Sequence, residues 1–439
     1  MGLAKTDSIL IVGGGAFGLS TALHLSAAGY SNITVFDKDD EIPPRFSAAN
    51  DLNKIVRAEY EDPFYRDLTL QAIEAWQTPL FGPHFHQVGF LHCVSGEAPK
   101  KAIETLDRFE ASARSHEGMA KKVFPIRRAD DIRDRFWQYK LSELPGWRGY
   151  INYMDGYAHS GNALKAVYKA TMRQGVKFIL GAEGAVDKIV YSNTPQGRKA
   201  TGVLSKSGKT YSAKLVIVAA GAWSSRLVPE VGKQLVAKSW SVAHVHLTDE
   251  ETSALRNIPV TYARDLGFFF EPDPETNLLK LCPMGAGFVN TDQKTGVSHA
   301  PLTLGESAFL PKDDEAQLRK LLAQTLPSLA DRPLVKRSLC WFADTKDSDF
   351  IIDYVPETSS SVILLSGDSG HGFKMFPIVG TWVKNILESQ DGLQPVKRWR
   401  WKHEKKADED GAAWADDVSW RLGVSREFAD IQPETASKL

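Results

Sequence analysis

Residues 8–37 leave this chain little freedom in how it begins to fold. An apolar run, Ile9-Leu10-Ile11-Val12, leads into Gly13-Gly14-Gly15-Ala16-Phe17-Gly18. An apolar helical segment from Leu19 to Leu25 follows, then a second run, Ile33-Thr34-Val35-Phe36, that ends in Asp37. Continuous β-branched runs of this length suit buried parallel strands, and the helical segment between them supplies the crossover. Gly13 permits the tight turn, Gly15 lets the backbone approach a pyrophosphate, and Gly18 lets the helix pack close to the strand. The N-terminus of that helix offers N–H donors and a favourable dipole to an anion. Asp37, about 20 residues beyond the glycines, stands where a carboxylate accepts from a ribose 2′-hydroxyl. An arginine or lysine there would suit a 2′-phosphate, so NADP is disfavoured. A lone glycine triplet is a weak signal; one framed by strand, helix, strand and acid is a strong dinucleotide-binding fingerprint.

The 439 residues are enough for about two or three domains with a real core. Lysine and arginine total 53 against 54 aspartates and glutamates, so nothing draws the chain to nucleic acid or to an anionic membrane. Three scattered cysteines, Cys93, Cys282 and Cys340, argue against a disulfide framework and for a reducing compartment. No apolar run reaches the roughly 18 residues of a membrane span, and the first strand begins too early to leave room for a signal peptide. No metal centre is expected. The last three residues, Ser437-Lys438-Leu439, are the tripeptide read by the peroxisomal import receptor, so the peroxisome is the expected compartment.

Along the chain, residues 41–50 form a proline-containing loop that carries Ser47. Lys54 and Arg57 follow at i, i+3, a spacing that on a helix directs both cations the same way. Residues 98–134 are charged and read as helical. A strand is expected near Tyr150 to Tyr153, a helix from Gly161 to Arg173, and a strand from Val176 to Leu180. Val186 is placed to offer backbone hydrogen bonds to an adenine edge. The apolar run 215–218 ends in Ala219-Ala220-Gly221-Ala222-Trp223, small residues that suit close approach of a cofactor to a strand buried on both faces. From Val236 to about Cys340 the pattern alternates, which predicts a separate antiparallel sheet with helical cover. The parallel theme returns at Val362-Ile363-Leu364-Leu365, and after Val396 a tail rich in tryptophan and charge is expected to wrap the surface.

Taken together, the glycine-rich start with Asp37, residues 219–224, Cys340 and the loop Gly370-His371-Gly372-Phe373-Lys374 resemble the FAD-dependent amine oxidases grouped around monomeric sarcosine oxidase, with the fungal amadoriases among them. The resemblance spans residues 8 to about 390. It implies an α/β fold: a glutathione-reductase-like FAD domain with a Rossmann-type parallel sheet, and a D-amino-acid-oxidase-like antiparallel substrate domain. The expected division is residues 1–82, 150–225 and 340–395 for FAD, 83–149 and 226–339 for substrate, and 396–439 for the tail.

The same resemblance implies the site. Cys340 matches the cysteine whose sulfur bonds the flavin 8α-methyl, and Lys280 the lysine that activates dioxygen beside the flavin. Gly13, Gly15, Ala16, Phe17, Gly18 and Asp37 are expected at the cofactor, with Lys38, Ser47, Lys54, Val186, Gly221 and Trp223. His371 falls in the loop on the flavin re side with Gly370, Gly372, Phe373 and Lys374. Arg57 and Lys374 match a pair of cations that hold the substrate carboxylate, and Tyr60, Met284 and Arg421 are the further substrate-contacting candidates. Lys54 is counted with the catalytic set as a lining residue.

The segment Asn50-Asp51-Leu52-Asn53-Lys54 is shared with amadoriases, which after their active-site lysine carry Cys-Asp-Glu. Here the sequence is Cys282-Pro283-Met284, and a methionine accepts poorly from a sugar hydroxyl. The leading expectation is an oxidase of a secondary-amine amino acid of N-methyl, pipecolate or saccharopine type, which passes hydride to FAD and electrons to dioxygen to give hydrogen peroxide. A fructosyl amino acid oxidase and a biosynthetic N-methyl amine oxidase that closes a ring are the alternatives. The glycine motif alone would also admit a nicotinamide-dependent dehydrogenase.

Overall fold

The computed structural model describes residues 3–195, 197–402 and 421–433. The parallel layer has six strands in the order Ile351–Tyr354, Val362–Ser366, Leu215–Val218, Ile9–Val12, Ile33–Phe36 and Lys177–Ile179. All pairs are parallel except the first, an antiparallel edge. Successive side chains of a strand point to opposite faces. Ile9, Ile11, Leu215 and Ile217 therefore join a core under the helices Ala16–Ala27, Ser160–Arg173 and Val379–Glu388. Leu10, Val12, Val216 and Val218 join a second core beneath the three strands Val186–Thr194, Gly197–Ser205 and Thr210–Ser212. With both faces covered, the strands need no polar alternation, which is why the sequence runs are continuously apolar.

The second layer is a ten-stranded, mainly antiparallel sheet, built around Val236–His246, which pairs with both Leu278–Pro283 and Leu334–Asp344. Along Leu278–Pro283 the period of two sorts roles. Leu279 and Leu281 pack under the helix Lys312–Thr325, whereas Lys280 and Cys282 face a cavity. A small sheet of Lys54–Val56, Gly156–Ala158 and Phe85–His86 completes the set.

Four local expectations are corrected. Lys54 and Arg57 do not lie on a helix: Lys54–Val56 is a strand paired with Gly156–Ala158, because β-branched Ile55 and Val56 find a partner 100 residues on. Residues 98–134 hold the helices Lys100–Ser115 and Ala129–Arg135, but Val123–Ile126 between them is a strand paired to Arg148–Asn152. The expected boundary at 340 falls inside the strand Leu334–Asp344, which belongs wholly to the antiparallel sheet. The described part of the tail is not a surface wrap. Trp399 is buried against Trp382 and Phe350, and Arg426–Glu427 adds a strand beside Phe288–Val289. The tripeptide Ser437-Lys438-Leu439 lies outside the described residues, in which no helix is long and apolar enough to cross a membrane.

Candidate active site

A cavity of about 590 Å³ is lined by residues of both sheets, a size usual for cofactor and substrate sites. Its parallel-sheet wall starts at the first glycines. Gly13 has φ of 116°, and a Cβ there would sit 2.3 Å from the Ala219 carbonyl oxygen, so only glycine lets the two strand ends meet. A Cβ on Gly15 would press to 2.9 Å from the Ser47 hydroxyl. Both glycines line the cavity with Ala16 and Phe17, at the N-terminus of the helix Ala16–Ala27. Gly18 and Gly372 stand behind the wall: a Cβ on the first would strike the Gly13 carbonyl at 1.8 Å, and on the second the Phe17 ring at 2.8 Å.

Asp37 lines the cavity and accepts from the Gly14 N–H at 2.7 Å and the Asp39 N–H at 2.9 Å. Burial pushes its carboxyl up to about 6, against the pull of those two bonds. Lys38 lies 3.5 Å over the Phe46 ring and 3.9 Å over that of Trp223, and burial lowers its ammonium to about 8. Ser47, Val186 and Gly221 complete this part of the wall. Bare glycine backbone, a free helix N-terminus and a buried acid on the next strand suit a dinucleotide, and the residues present fit FAD.

A charge cluster beside the cavity is assembled from two distant parts of the chain. Asp51 accepts from Lys54 Nζ at 2.8 Å and from Lys280 Nζ, which also donates to the Asn53 carbonyl at 2.7 Å. Burial would raise the Asp51 carboxyl, but the two ammoniums outweigh it and hold it below the usual carboxylate range. Burial would likewise lower Lys54, and the Asp51 charge instead holds it above its ordinary value. His244, cross-strand from Lys280, is lowered by burial to about 4 and stays neutral beside them. Cys340 Sγ lies 3.9 Å from Lys54 Nζ and 3.8 Å from the Ala48 carbonyl oxygen; burial pushes its thiol up, and Lys54 works against that.

A second group surrounds Arg57 and Lys374, both buried and both on the cavity wall. Arg57 Cζ lies 5.3 Å and Lys374 Nζ 5.1 Å from the centroid of the Tyr60 ring. Arg57 Nη1 donates to the Glu59 carbonyl. Behind it Asn152 Nδ2 donates to Glu59 Oε1 at 3.0 Å and Asp155 Oδ2 at 2.9 Å, and the Ala58 N–H donates to Asp155 Oδ1. Burial, and then the neighbouring Glu59 carboxyl, push Asp155 well above its ordinary value. Tyr60 does not line the cavity; its hydroxyl lies 2.9 Å from both Lys374 Nζ and His371 Nδ1. Gly370, His371 and Phe373 line the wall beside Lys374, and Met284, one residue past the strand Leu278–Pro283, lines the cavity as well.

Arg421 also reaches the cavity, tied to Asp344, which pairs at 3.0 Å with Lys238 as well. Asp51, Glu59, Asp155 and Asp344 were not singled out by their sequence context. The Asn50 to Lys54 segment held a clue to Asp51; an isolated acid such as Asp155 or Asp344 gives none, because its partners lie far along the chain.

Comparison with known proteins bears on the cofactor and the chemistry. A family model described as FAD dependent oxidoreductase (DAO) matches residues 8–386. An L-saccharopine oxidase of Schizosaccharomyces pombe is 32% identical over 417 residues, covering 92% of this chain and 94% of that protein. A monomeric sarcosine oxidase of a Bacillus species is 24% identical over 383 residues, covering 85% and 90%. Among solved structures, the deglycating fructosamine oxidase (Amadoriase II) of Aspergillus fumigatus superimposes with a TM-score of 0.87 at 29% identity, covering 98% of this chain and 97% of that one.

Proposed function

The chain belongs to the DAO family of FAD-dependent oxidoreductases, and from that premise we propose that it oxidises the secondary amine of an amino acid of N-methyl, pipecolate or saccharopine type. The observation that carries the reading is the pair Arg57 and Lys374, two buried side chains that both line the cavity and lie 5.3 and 5.1 Å from the centroid of the Tyr60 ring behind it. Together they suit a carboxylate, which charge-assisted hydrogen bonds would fix and orient. Similarity to a saccharopine oxidase supports the N-carboxyalkyl member of the class. Met284 offers no strong acceptor for a sugar hydroxyl in the same cavity.

FAD, when bound, supplies the hydride acceptor. Gly13, Gly15 and the helix N-terminus would hold its pyrophosphate, Asp37 a ribose, and Cys340 the ring system through a thioether. Lys54, 3.9 Å from the sulfur, favours the thiolate that forms such a bond. Lys280 places a buried positive charge on the cavity wall where reduction of dioxygen develops negative charge, and Asp51 and the Asn53 carbonyl fix its position. The second product is then hydrogen peroxide. The Ser437-Lys438-Leu439 ending supports a peroxisomal address, tested by whether a fluorescent fusion loses its punctate distribution when the tripeptide is removed.

Anaerobic bleaching of the flavin band by N-methyl amino acids, pipecolate, saccharopine and fructosyl-lysine tests the assignment. Fast bleaching by one of the first three kinds, lost in Arg57→Met, is expected. Fastest bleaching by the fructosyl adduct would overturn it.

A further inference from the structure

Lys374 enters the cavity with two of its hydrogens already assigned. His371 Nε2 lies 2.9 Å from the Ser348 carbonyl oxygen, an atom that only accepts, so Nε2 carries the ring proton. Burial, and then the neighbouring Lys374, hold the His371 imidazole far below its ordinary value; the ring is neutral and Nδ1 is an acceptor. Tyr60, 2.9 Å away, must donate to it, and the Tyr60 oxygen in turn receives from Lys374 Nζ at 2.9 Å. A second Lys374 N–H goes to the His371 carbonyl at 3.2 Å. The remaining tetrahedral position on Nζ is an N–H in the ammonium and a lone pair in the amine.

The charged and titratable groups around Nζ are Arg57, Glu59 and Tyr60 from the segment after the strand Lys54–Val56, Asp155 from the turn after Arg148–Asn152, and His371 from its own loop. Burial and the Glu59 carboxyl push Asp155 well above its ordinary value, and Arg57 is a permanent cation. Both acceptors of Nζ, the Tyr60 hydroxyl and the His371 carbonyl, are neutral, and burial and then Arg57 drive Lys374 well below its ordinary value against the pull of Asp155 and Glu59.

We propose that Lys374 rests as the neutral amine and takes the proton of the substrate's secondary ammonium as the zwitterion binds, so that one transfer frees the substrate nitrogen and creates the cation that holds the carboxylate. The substrate N–H bond breaks and leaves its electron pair on nitrogen, a Nζ–H bond forms, and the summed charge is unchanged. That nitrogen lone pair is what the departure of hydride from the adjacent carbon requires. Lys374 is then a catalytic base, and Tyr60 and His371 are positioning residues that fix its third valence toward the cavity. The inference rests on the carboxylate clamp proposed above.

The test uses (methylthio)acetate, a carboxylate with sulfur in place of the nitrogen and no proton to give, bound to the holoenzyme. Calorimetry in buffers of different ionisation enthalpy should register about one proton taken up per ligand, and Kd should rise about tenfold per pH unit from pH 7 to 9. Anaerobic bleaching by an N-methyl amino acid, which brings its own proton, should stay flat over the same range. In Lys374→Arg, charged throughout, probe affinity should become independent of pH, while bleaching becomes slow and rises about tenfold per pH unit as solvent base replaces the amine. Binding of the probe by the parent protein with no proton uptake and a flat Kd would overturn the inference and leave the clamp standing. Absence of probe binding at every pH would remove the clamp and the inference with it.

Discussion

Asp51→Asn removes the carboxylate that two lysines share. Lys280 is the more dependent of the two: its side chain is 2% exposed, against 20% for Lys54, so water can replace the lost partner only at Lys54. Breaking a buried ion pair by deleting one partner costs about 3–5 kcal/mol, because an uncompensated charge is left behind. The Asn53 carbonyl still accepts from Lys280, which places the expected loss near the lower end, about 3 kcal/mol. Urea denaturation of the holoenzyme measures it. The double variant Asp51→Asn/Lys280→Met removes the stranded charge as well and should regain at least about 1 kcal/mol relative to Asp51→Asn. The pH dependence has a definite sign. The Asp51 carboxyl is held low in the folded state, so its contribution is fully present above the unfolded value of about 4 and is lost as pH falls toward the folded one. The gap between parent and variant should close below pH about 4. A variant within about 0.5 kcal/mol of the parent at pH 7, or a double variant that costs the sum of its parts, would refute the shared-counterion reasoning.

Cys340→Ser should leave FAD extractable by acid precipitation, and retention of flavin in the pellet would sink the thioether assignment. Lys280→Met should slow reoxidation of the reduced enzyme at least about tenfold while flavin reduction changes little; equal effects on both half-reactions in stopped flow would count against an oxygen-specific role. Gly13→Ala forces a methyl to 2.3 Å from the Ala219 carbonyl at a φ of 116°, so the purified variant should carry no flavin; a normal ratio of 450 nm to 280 nm absorbance would contradict the packing argument. Asp37 titrates at about 6 and its ionised form is the better acceptor for a ribose hydroxyl, so FAD affinity, measured in Cys340→Ser by flavin fluorescence, should rise between pH 5 and 7 and level off above. The same measurement in Asp37→Asn should be flat.

How much could be read in advance depended on the range of the interaction involved. The glycine turn was legible because its strand, its helix and the acid at the end of the next strand fall within 30 residues, and Gly18 answers a steric demand made within the turn itself, by the Gly13 carbonyl. The sorting of Lys280 and Cys282 away from Leu279 and Leu281 was latent in the period of two, but which face held the helix and which the cavity was not. The helical expectation for Lys54 and Arg57 failed for a related reason. A three-residue strand has little intrinsic preference and exists because Gly156–Ala158 lies alongside to complete its hydrogen bonds. The tail misled as well: its tryptophans and charges have the composition of a surface segment, yet Arg398 pairs with Asp62 and Asp349, and Arg421 with Asp344.

By itself the sequence determined that the chain opens with a dinucleotide-binding βαβ unit and continues with alternating parallel and antiparallel layers, since those follow from periodicity and from glycine at positions without room for a side chain. Tertiary structure alone decided the chemistry of the cavity. Asp51 meets Lys280 across 229 residues, Tyr60 meets His371 across 311, and Asn152 meets Glu59 across 93. A charge or a proton is held by whatever lies within a few ångströms in a water-poor interior, and that neighbourhood exists only once the two sheets have closed on each other.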